Sequence, residues 1–402
     1  MLNLKSKSVS AKREAWRKYA LSFSLAMLAI EFLDEFVFGA VEASWPLIRD
    51  DLRLSYTQIG LLISLPAVFG HLVEPVIGIL ADVWKRRALI LGGGVAFTFG
   101  LLLTTGSRSF IMLLIAFALM SPSAGAFVEL SQGALMDYAP KRREQNMARW
   151  ELAGSLGNVV APPAIVLFLM IGAGWRAIFA LLAALSVLLL MRARRFSFGR
   201  SSETDERQAQ LSLLEGAREA VRAFGRREVL RWLVLLEMAD LLMDGLHAYL
   251  ALYFVDVVGL SESKAGLSLI VWTCAGLPGD ILLLPLLERV RGLSYLRVSA
   301  AAMLLLFPAF LLVQGVWLKL FVLGLIGFGN AGWYSILKAQ LYASMEGRTG
   351  TVMTVGNIGG LFHSLIPLGL GLIAERYGLT SAMWLLILGP LALLFGVPRE
   401  SK

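Results

Sequence analysis

The chain has 402 residues, of which 57% are hydrophobic and only 16% are charged. A single soluble core of this length does not need so much apolar surface, so the composition excludes an ordinary soluble domain and indicates a polytopic membrane protein. The formal net charge is +8, but in a membrane protein the position of each Lys and Arg matters more than their sum. The only cysteine, Cys274, excludes an internal disulfide and a multi-cysteine metal site.

Twelve apolar segments are long enough to cross about 30 Å of hydrocarbon, which takes roughly 20 helical residues. The predicted helices run approximately over residues 17–45, 57–81, 88–105, 110–137, 147–171, 175–193, 229–255, 263–287, 294–314, 317–343, 350–373 and 380–398. The longest polar interruption separates six helices from six. We therefore predict an all-α polytopic membrane protein with an N-terminal half (1–193), a cytoplasmic linker that contains a surface helix (194–228) and a C-terminal half (229–402).

Basic residues predict the orientation of the chain. If the N-terminus lies inside, the inner segments hold 29 of the 37 Lys and Arg residues and the outer segments hold seven. Lys338 is the remaining one and lies within a predicted helix. Because cytoplasmic loops carry the excess of Lys and Arg, we expect a multi-pass protein of the cell (inner) membrane with both termini in the cytoplasm.

The two halves carry the same pattern of acidic residues, which indicates an internal repeat. A gapless shift of 206 residues superimposes acid on acid, placing Glu31 on Glu237 and Asp34 on Asp240. Two further acidic pairs fall in the same register. Acidic residues inside apolar helices are rare, so this coincidence is not expected by chance. The chain is predicted to consist of two six-helix halves built alike.

The loop between the second and third predicted helices reads GILADVWKRR, over residues 78–87. It resembles the signature loop of the major facilitator superfamily. The matching residues are Gly78, Asp82, Arg86 and Arg87, whereas Val83 and Lys85 replace a basic residue and a glycine of the family pattern. With twelve helices and a 6+6 repeat, the resemblance covers nearly the whole chain. It implies the fold of this superfamily and a secondary active transporter that works by alternating access.

The resemblance also implies a gate and an exporter motif. Asp82 would accept hydrogen bonds from a nearby Arg and from a helix N-terminus of the other half, which would hold the cytoplasmic side shut. The alternative to a gate is that this loop is only a helix end followed by the basic residues that are usual on the cytoplasmic side.

The segment GSLGNVVAPP resembles the antiporter motif of exporters through Gly154, Gly157 and Pro162. The alternative is that these small residues serve only close helix packing. Short stretches such as EPVIGILAD also resemble the fosmidomycin-resistance branch of efflux proteins.

The first predicted helix carries an acidic stripe near the middle of the membrane. Glu31, Asp34 and Glu35 are spaced i, i+3, i+4, so they share one face, which must contact protein or water. The seventh predicted helix repeats this design. In the family's fold, helices 1, 4, 7 and 10 line the central cavity, where the stripes would face each other. The predicted substrate- and proton-binding residues are Glu31, Asp34, Glu35, Glu129, Glu237, Asp240, Asp244 and Lys338.

Several polar residues have simpler alternatives. Glu42 lies near the outer end of its helix, where interfacial exposure is favoured, and His247 is expected to be a hydrogen-bonded packing residue. Lys338 lies near a cytoplasmic helix end, where its long side chain can reach water. Glu74 and Asp280 have two interpretations. They either line the cavity or form interhelical hydrogen bonds that fasten the halves.

An acid-rich cavity favours proton coupling. Burial and like-charged neighbours disfavour ionised carboxylates, so part of the group is expected to hold protons and to release them when a cation approaches. One Lys against at least six cavity acids favours a cationic or zwitterionic cargo, whereas the fosmidomycin-like resemblance favours a phosphonate. From the charge count, we predict proton-coupled export (antiport) of a small cationic or zwitterionic molecule. The expected partners are this cargo, protons and the lipid bilayer, for a monomer without nucleic acid or cofactor.

Two other functional classes fit the sequence less well. A divalent metal-ion carrier could use the intramembrane carboxylates, which suit a hard cation, but acids spread along two helices are not a compact ligand set. No metal site is therefore predicted. A membrane enzyme would need a catalytic motif, and the chain has no His-Glu-x-x-His, Gly-x-Ser-x-Gly or P-loop pattern. No catalytic residue or enzyme activity is predicted.

Overall fold

A computed structural model describes residues 2–83, 86–138, 143–196, 198, 222, 225–344 and 359–398. All regular structure within these ranges is helical, which confirms the predicted all-α fold class. The predicted surface helix of the linker and the first part of the eleventh predicted span lie outside the described residues.

Each predicted apolar segment overlaps one or more of the described helices. The N-terminal half contains α1 (Leu2–Leu52), α2 (Tyr56–Val83), α3 (Arg86–Gly106), α4 (Phe110–Ala124), a π-helical turn (Gly125–Glu129), α5 (Leu130–Tyr138), α6 (Arg143–Met170) and α7 (Gly174–Ala193). The C-terminal half contains α8 (Arg227–Asp256), α9 (Glu262–Leu287), α10 (Gly292–Leu312), α11 (Val316–Gly329), α12 (Trp333–Ala343), α13 (Ile366–Tyr377), α14 (Leu379–Leu385) and α15 (Leu388–Gly396). Nine spans among the described residues are long and apolar enough to cross a membrane. The more acidic helices α1 and α8 are not among these nine.

The fourth and tenth predicted spans each contain a local break, and the twelfth is divided into α14 and α15. In the fourth span, Gly125–Glu129 form a π-helical turn between α4 and α5. Pro122 lies just before this turn, and a proline inside a helix removes a backbone donor and displaces the chain. In the tenth span, α11 and α12 are separated at Gly332, whose φ of +73° suits glycine alone among common residues. The π turn ends at Glu129, one of the predicted site residues.

The two halves contact each other through helices that the repeat relates. α2 packs against α13, and α6 packs against α9. A Cβ atom at Gly60 would lie 2.8 Å from the Cα of Leu368. A Cβ atom at Gly266, its partner in the repeat, would lie 3.3 Å from Val166 Cγ2. The two glycines therefore permit matching close contacts between the halves.

Polar contacts join the halves where α1 and α8 end. Arg49 forms an ion pair with Asp256, and the hydroxyl of Tyr56 donates a hydrogen bond to the same carboxylate. The backbone N–H of Tyr56 donates a hydrogen bond to Glu375 Oε2 at 2.9 Å. This end of the molecule, which faces the cell exterior in the predicted orientation, is therefore joined by charged and hydrogen-bonded contacts.

Candidate functional site

An acid-lined cavity of about 380 Å³ lies within the N-terminal half. Its carboxylates come from α1, α2 and the π turn, and they are Asp34, Glu35, Glu42, Glu74 and Glu129. Its apolar walls include the rings of Phe38, Trp45, Phe97 and Phe117. Among the described residues that line it, none is a Lys, Arg or His, and Ala248 alone comes from the C-terminal half.

The structure brings three predicted site residues together in this cavity, namely Asp34, Glu35 and Glu129. Glu31 is not among the described lining residues. It is 8% exposed, and its carboxylate lies against α6, where a Cβ atom at Gly154 would be 2.7 Å from Oε1. The acids predicted on α8 are also absent from the described lining, because they form a separate cluster within the C-terminal half.

The glycine-rich motif of α6 positions the α1 stripe. A Cβ atom at Gly157 would lie 2.4 Å from the carbonyl oxygen of Phe32, so the two helix backbones approach closely here. The next residue, Asn158, donates a hydrogen bond from Nδ2 to Glu35 Oε2 at 2.9 Å. Pro162 is buried one turn further along α6. Asn158 is not among the site residues predicted from the sequence. The only feature that marks it in the sequence is that it is a polar amide among small apolar residues.

An ion pair between the halves lies at the edge of the cavity. Glu42 Oε2 on α1 contacts His247 Nδ1 on α8, and Glu42 is only 7% exposed. The expectation that Glu42 is exposed at the membrane interface is therefore wrong, because the contact with His247 holds its carboxylate inside the protein. His247 contacts a polar side chain, but that side chain belongs to the other half.

A second polar cluster lies in the C-terminal half. It consists of Glu237 and Asp240 of α8 and of His363, which belongs to the helical residues 359–363. Each of the three offers one atom that could bind a metal, and these atoms lie within 4.8 Å of one another. His363 Nε2 also lies 3.1 Å from Asp244 Oδ2. The cluster therefore unites the three acids predicted on α8 around a histidine that was not predicted. Its sequence signal is a lone His after the glycine-rich stretch GNIGG.

The remaining predicted cavity residues make contacts within their own halves. Lys338 Nζ on α12 donates a hydrogen bond to Tyr334 OH at 2.5 Å, one helical turn away. Glu74 lines the N-terminal cavity, whereas Asp280 accepts a hydrogen bond from the backbone of Gly332. None of these described contacts fastens one half to the other.

The predicted cytoplasmic gate is described in part. Arg86 Nη1 lies 2.7 Å from Asp137 Oδ2, and Arg87 Nη2 donates a hydrogen bond at 2.6 Å to the carbonyl oxygen of the residue that follows α7. Nothing lies within 4 Å of a Cβ atom placed on Gly78. The side chain of Asp82 lies outside the described part of the structure, so its role as a latch stays a prediction.

The sequence of the chain matches a known protein family along most of its length. Residues 26–366 match the family model of the Major Facilitator Superfamily. The chain is 25% identical over 360 residues to the fosmidomycin resistance protein of Escherichia coli (strain K12), which covers 86% of this chain and 84% of that protein. It is 23% identical over 392 residues to the MFS-type transporter YfnC of Bacillus subtilis (strain 168), with 92% and 91% covered.

Solved structures share the same arrangement of helices. The nucleoside transporter NupG matches with a TM-score of 0.75 at 13% identity, over 93% of this chain and 97% of that one. A bacterial homologue of the human lysosomal transporter Spinster, in an inward-facing and unoccupied conformation, matches with a TM-score of 0.69 at 18% identity, over 95% and 94%. At these identities the likeness shows the fold alone. Because the family match spans most of the chain and the fold agrees with it, the protein is a multi-pass membrane transporter that belongs to the major facilitator superfamily.

Proposed function

We propose that this transporter exports a small cationic or zwitterionic organic molecule in exchange for protons. The observation that carries the proposal is the charge of the cavity, which has five carboxylates and, among its described lining residues, no basic side chain. Such a lining attracts a cation and repels an anion. The positive part of the cargo would therefore lie near Asp34, Glu35 and Glu129.

The walls of the cavity favour an organic cation over a bare metal ion. The rings of Phe38, Trp45 and Phe117 line the cavity, and aromatic rings offer both apolar area and faces that attract cations. The cavity volume of about 380 Å³ falls within the range of roughly 300–1,000 Å³ that is usual for small-molecule sites. The cargo is therefore proposed to combine a positive charge with apolar groups.

The carboxylates also provide a basis for antiport. A carboxylate can hold either a proton or a neighbouring cargo cation, so occupation by one disfavours the other. Asn158 fixes Glu35 by a hydrogen bond, which ties the exporter-like motif of α6 to this exchange. Protons that enter the open cavity would therefore displace the cargo, and cargo that enters would displace protons.

The proposed direction of transport is out of the cell. In the proposed orientation both termini of the chain lie in the cytoplasm. The similarity to a fosmidomycin resistance protein supports efflux of a harmful compound, although the acidic cavity favours a different cargo charge. The orientation rests on the 29 basic residues that fall in the predicted inner segments. The membrane would then be the bacterial inner membrane.

Two ions of one shape test the charge of the cargo. Tetraphenylphosphonium and tetraphenylborate have the same arrangement of rings and opposite charges, so their comparison isolates electrostatics. We expect purified protein in detergent to bind the cation and not the anion, after subtraction of binding to protein-free micelles. Stronger binding of the anion would contradict a cationic cargo.

Proton release tests the coupling. Addition of tetraphenylphosphonium to wild-type protein in weakly buffered solution should release protons, and its affinity should fall as pH is lowered because protonation removes the attracting charge. Glu35→Gln should reduce both effects together, as linkage requires. Glu288→Gln, at an exposed position after α9, is the matched control and should behave as the wild type. Binding with neither proton release nor pH dependence would exclude antiport.

A further inference from the structure

The polar cluster of the C-terminal half is compact. Glu237 and Asp240 are three residues apart on α8, so they share one face of that helix. His363 approaches them from the helical residues 359–363, and the donor atoms of the three side chains lie within 4.8 Å of one another. A Cβ atom at Gly359 would lie 2.5 Å from Glu237 Oε1, so a glycine at this position makes room for the carboxylate.

The imidazole of His363 is oriented by another carboxylate. Its Nε2 lies 3.1 Å from Asp244 Oδ2, so the Nε2–H donates to that oxygen. In a neutral imidazole the other nitrogen, Nδ1, then carries a lone pair. Metal-bound histidines have this arrangement, in which the nitrogen remote from the metal donates to a carboxylate.

Two buried polar atoms without a hydrogen-bond partner among the described residues face each other in the cluster. His363 Nδ1 lies 3.6 Å from Glu237 Oε2. Both atoms are buried, and neither has a hydrogen-bond partner among the described residues. Their separation is too long for a hydrogen bond. A cation bound between them would satisfy both atoms at once.

The gap between these atoms fits a transition-metal ion. Bonds of about 2.0–2.2 Å at tetrahedral or octahedral angles place neighbouring ligand atoms roughly 3.0–3.6 Å apart. The observed separation of 3.6 Å between His363 Nδ1 and Glu237 Oε2 lies at this limit. An imidazole with two carboxylates suits Zn²⁺, Mn²⁺ or Fe²⁺ better than Mg²⁺ or Ca²⁺, which prefer oxygen ligands alone.

The N-terminal half provides an internal comparison. A glycine of α6 lies against Glu31 there, as Gly359 lies against Glu237. The residue four positions after the glycine is Asn158 in the N-terminal half and His363 in the C-terminal half. The amide nitrogen of Asn158 is a hydrogen-bond donor and offers no lone pair to a metal. These positions, which a shift of 205 residues relates in this part of the chain, therefore carry an imidazole in one half and an amide in the other.

We propose that Glu237, Asp240 and His363 form a binding site for one divalent transition-metal ion, with Asp244 as the residue that positions the imidazole. The site shares no described lining residue with the cavity proposed for the organic cargo. It therefore goes beyond the exporter function and does not depend on it. A bound ion would connect α8 to the residues that precede α13.

Equilibrium dialysis with Zn²⁺ tests the site on the full chain in detergent, after removal of any affinity tag and of bound metal with a chelator. The wild type should bind about one Zn²⁺ per chain. His363→Asn and Glu237→Gln should weaken this binding at least about tenfold, since each removes a ligand. Glu31→Gln makes the same change at the repeat-related acid and should bind Zn²⁺ as the wild type does.

Two further measurements separate ligation from folding. Asp244→Asn should lower Zn²⁺ affinity by about 10–100-fold, as for other carboxylates that orient a ligand, while the number of ions per chain stays at one. His363→Asn installs the residue that lies four positions after the matching glycine of the N-terminal half, so its thermal unfolding without metal should match that of the wild type. Equal Zn²⁺ affinity in wild type and His363→Asn, or no binding at about 1 mM Zn²⁺, would overturn the proposal.

Discussion

Glu42 and His247 belong to different halves, and their side chains are only 8% and 14% exposed. Removal of one partner from a buried ion pair leaves the other charge without compensation, which typically costs about 3–5 kcal/mol. Glu42 also lines the acidic cavity. The pair therefore links the charge of the cavity to the contact between α1 and α8.

A double-mutant cycle with Glu42→Gln and His247→Gln measures this link. We expect each single change to lower thermal stability and the two changes to couple by about 0.5–3 kcal/mol, as contacting residues do. A cycle that pairs His247→Gln with Glu228→Gln is the control, because Glu228 is exposed at the start of α8. If the Glu42 and His247 changes add to within roughly 0.3–0.5 kcal/mol, the ion pair does not contribute to stability.

At the scale of single residues, the sequence predicts the acids better than their partners. Glu31, Asp34 and Glu35 could be placed on one face because helical spacing is a local property. The burial of Glu42 and the roles of Asn158 and His363 depend on helices that are far apart in the sequence. Hydrophobic periodicity contains no information about such contacts, so these residues became visible only in the folded protein.

α6 can approach α1 because its facing residues are small. A Cβ atom at Gly157 would lie 2.4 Å from the Phe32 carbonyl oxygen and 2.9 Å from the Phe36 nitrogen. These are backbone atoms of a helix, and they cannot rotate away as a side chain can. A methyl group at Gly157 would therefore push the two helices apart and displace the hydrogen bond to Glu35.

We expect Gly157→Ala to destabilise the protein by about 1–3 kcal/mol, which is the usual cost of overpacking, and to weaken binding of tetraphenylphosphonium. Gly92→Ala in α3 is the matched control, because nothing lies within 4 Å of a Cβ atom at that position. Thermal unfolding in detergent measures the difference. Equal unfolding temperatures for the two variants would mean that α1 and α6 are less closely packed than described.

At the scale of helices, apolar length predicts the spans but not their breaks. The fourth predicted span was continuous, whereas the structure has a π turn after Pro122. The tenth was also continuous, whereas the structure breaks it at Gly332. One proline or glycine in a long apolar run changes the average hydropathy little. It nevertheless determines the local backbone conformation, because proline lacks the backbone N–H donor and glycine permits a positive φ.

The orientation of the whole molecule can be tested with single cysteines in a Cys274→Ser background. Gln314 lies in an exposed turn between α10 and α11, which the basic-residue distribution places outside, and Ser202 lies in the linker, which it places inside. A membrane-impermeant maleimide should label Gln314→Cys on intact cells and Ser202→Cys only after the cells are opened. Labelling of Ser202→Cys on intact cells would invert the proposed topology.

For the whole molecule, the repeat was the most informative property of the sequence. It predicts that Gly60 and Gly266 occupy related places, and both pack against a helix of the opposite half. It does not predict that Arg49 and Asp256 pair where α1 and α8 end. A transporter with alternating access visits more than one arrangement of its halves, and a repeat is compatible with each of them.

In the exchange that we propose, a cavity lined by five carboxylates and, among its described residues, no base offers sites for more than one proton for each cargo ion. Exchange of two protons for a monovalent cation carries one net positive charge into the cell in every cycle. A membrane potential of 100 mV, negative inside, then contributes about 2.3 kcal/mol to export. A transporter with this stoichiometry would respond to voltage as well as to acidity, so it would still expel cargo in a medium where the pH gradient has vanished.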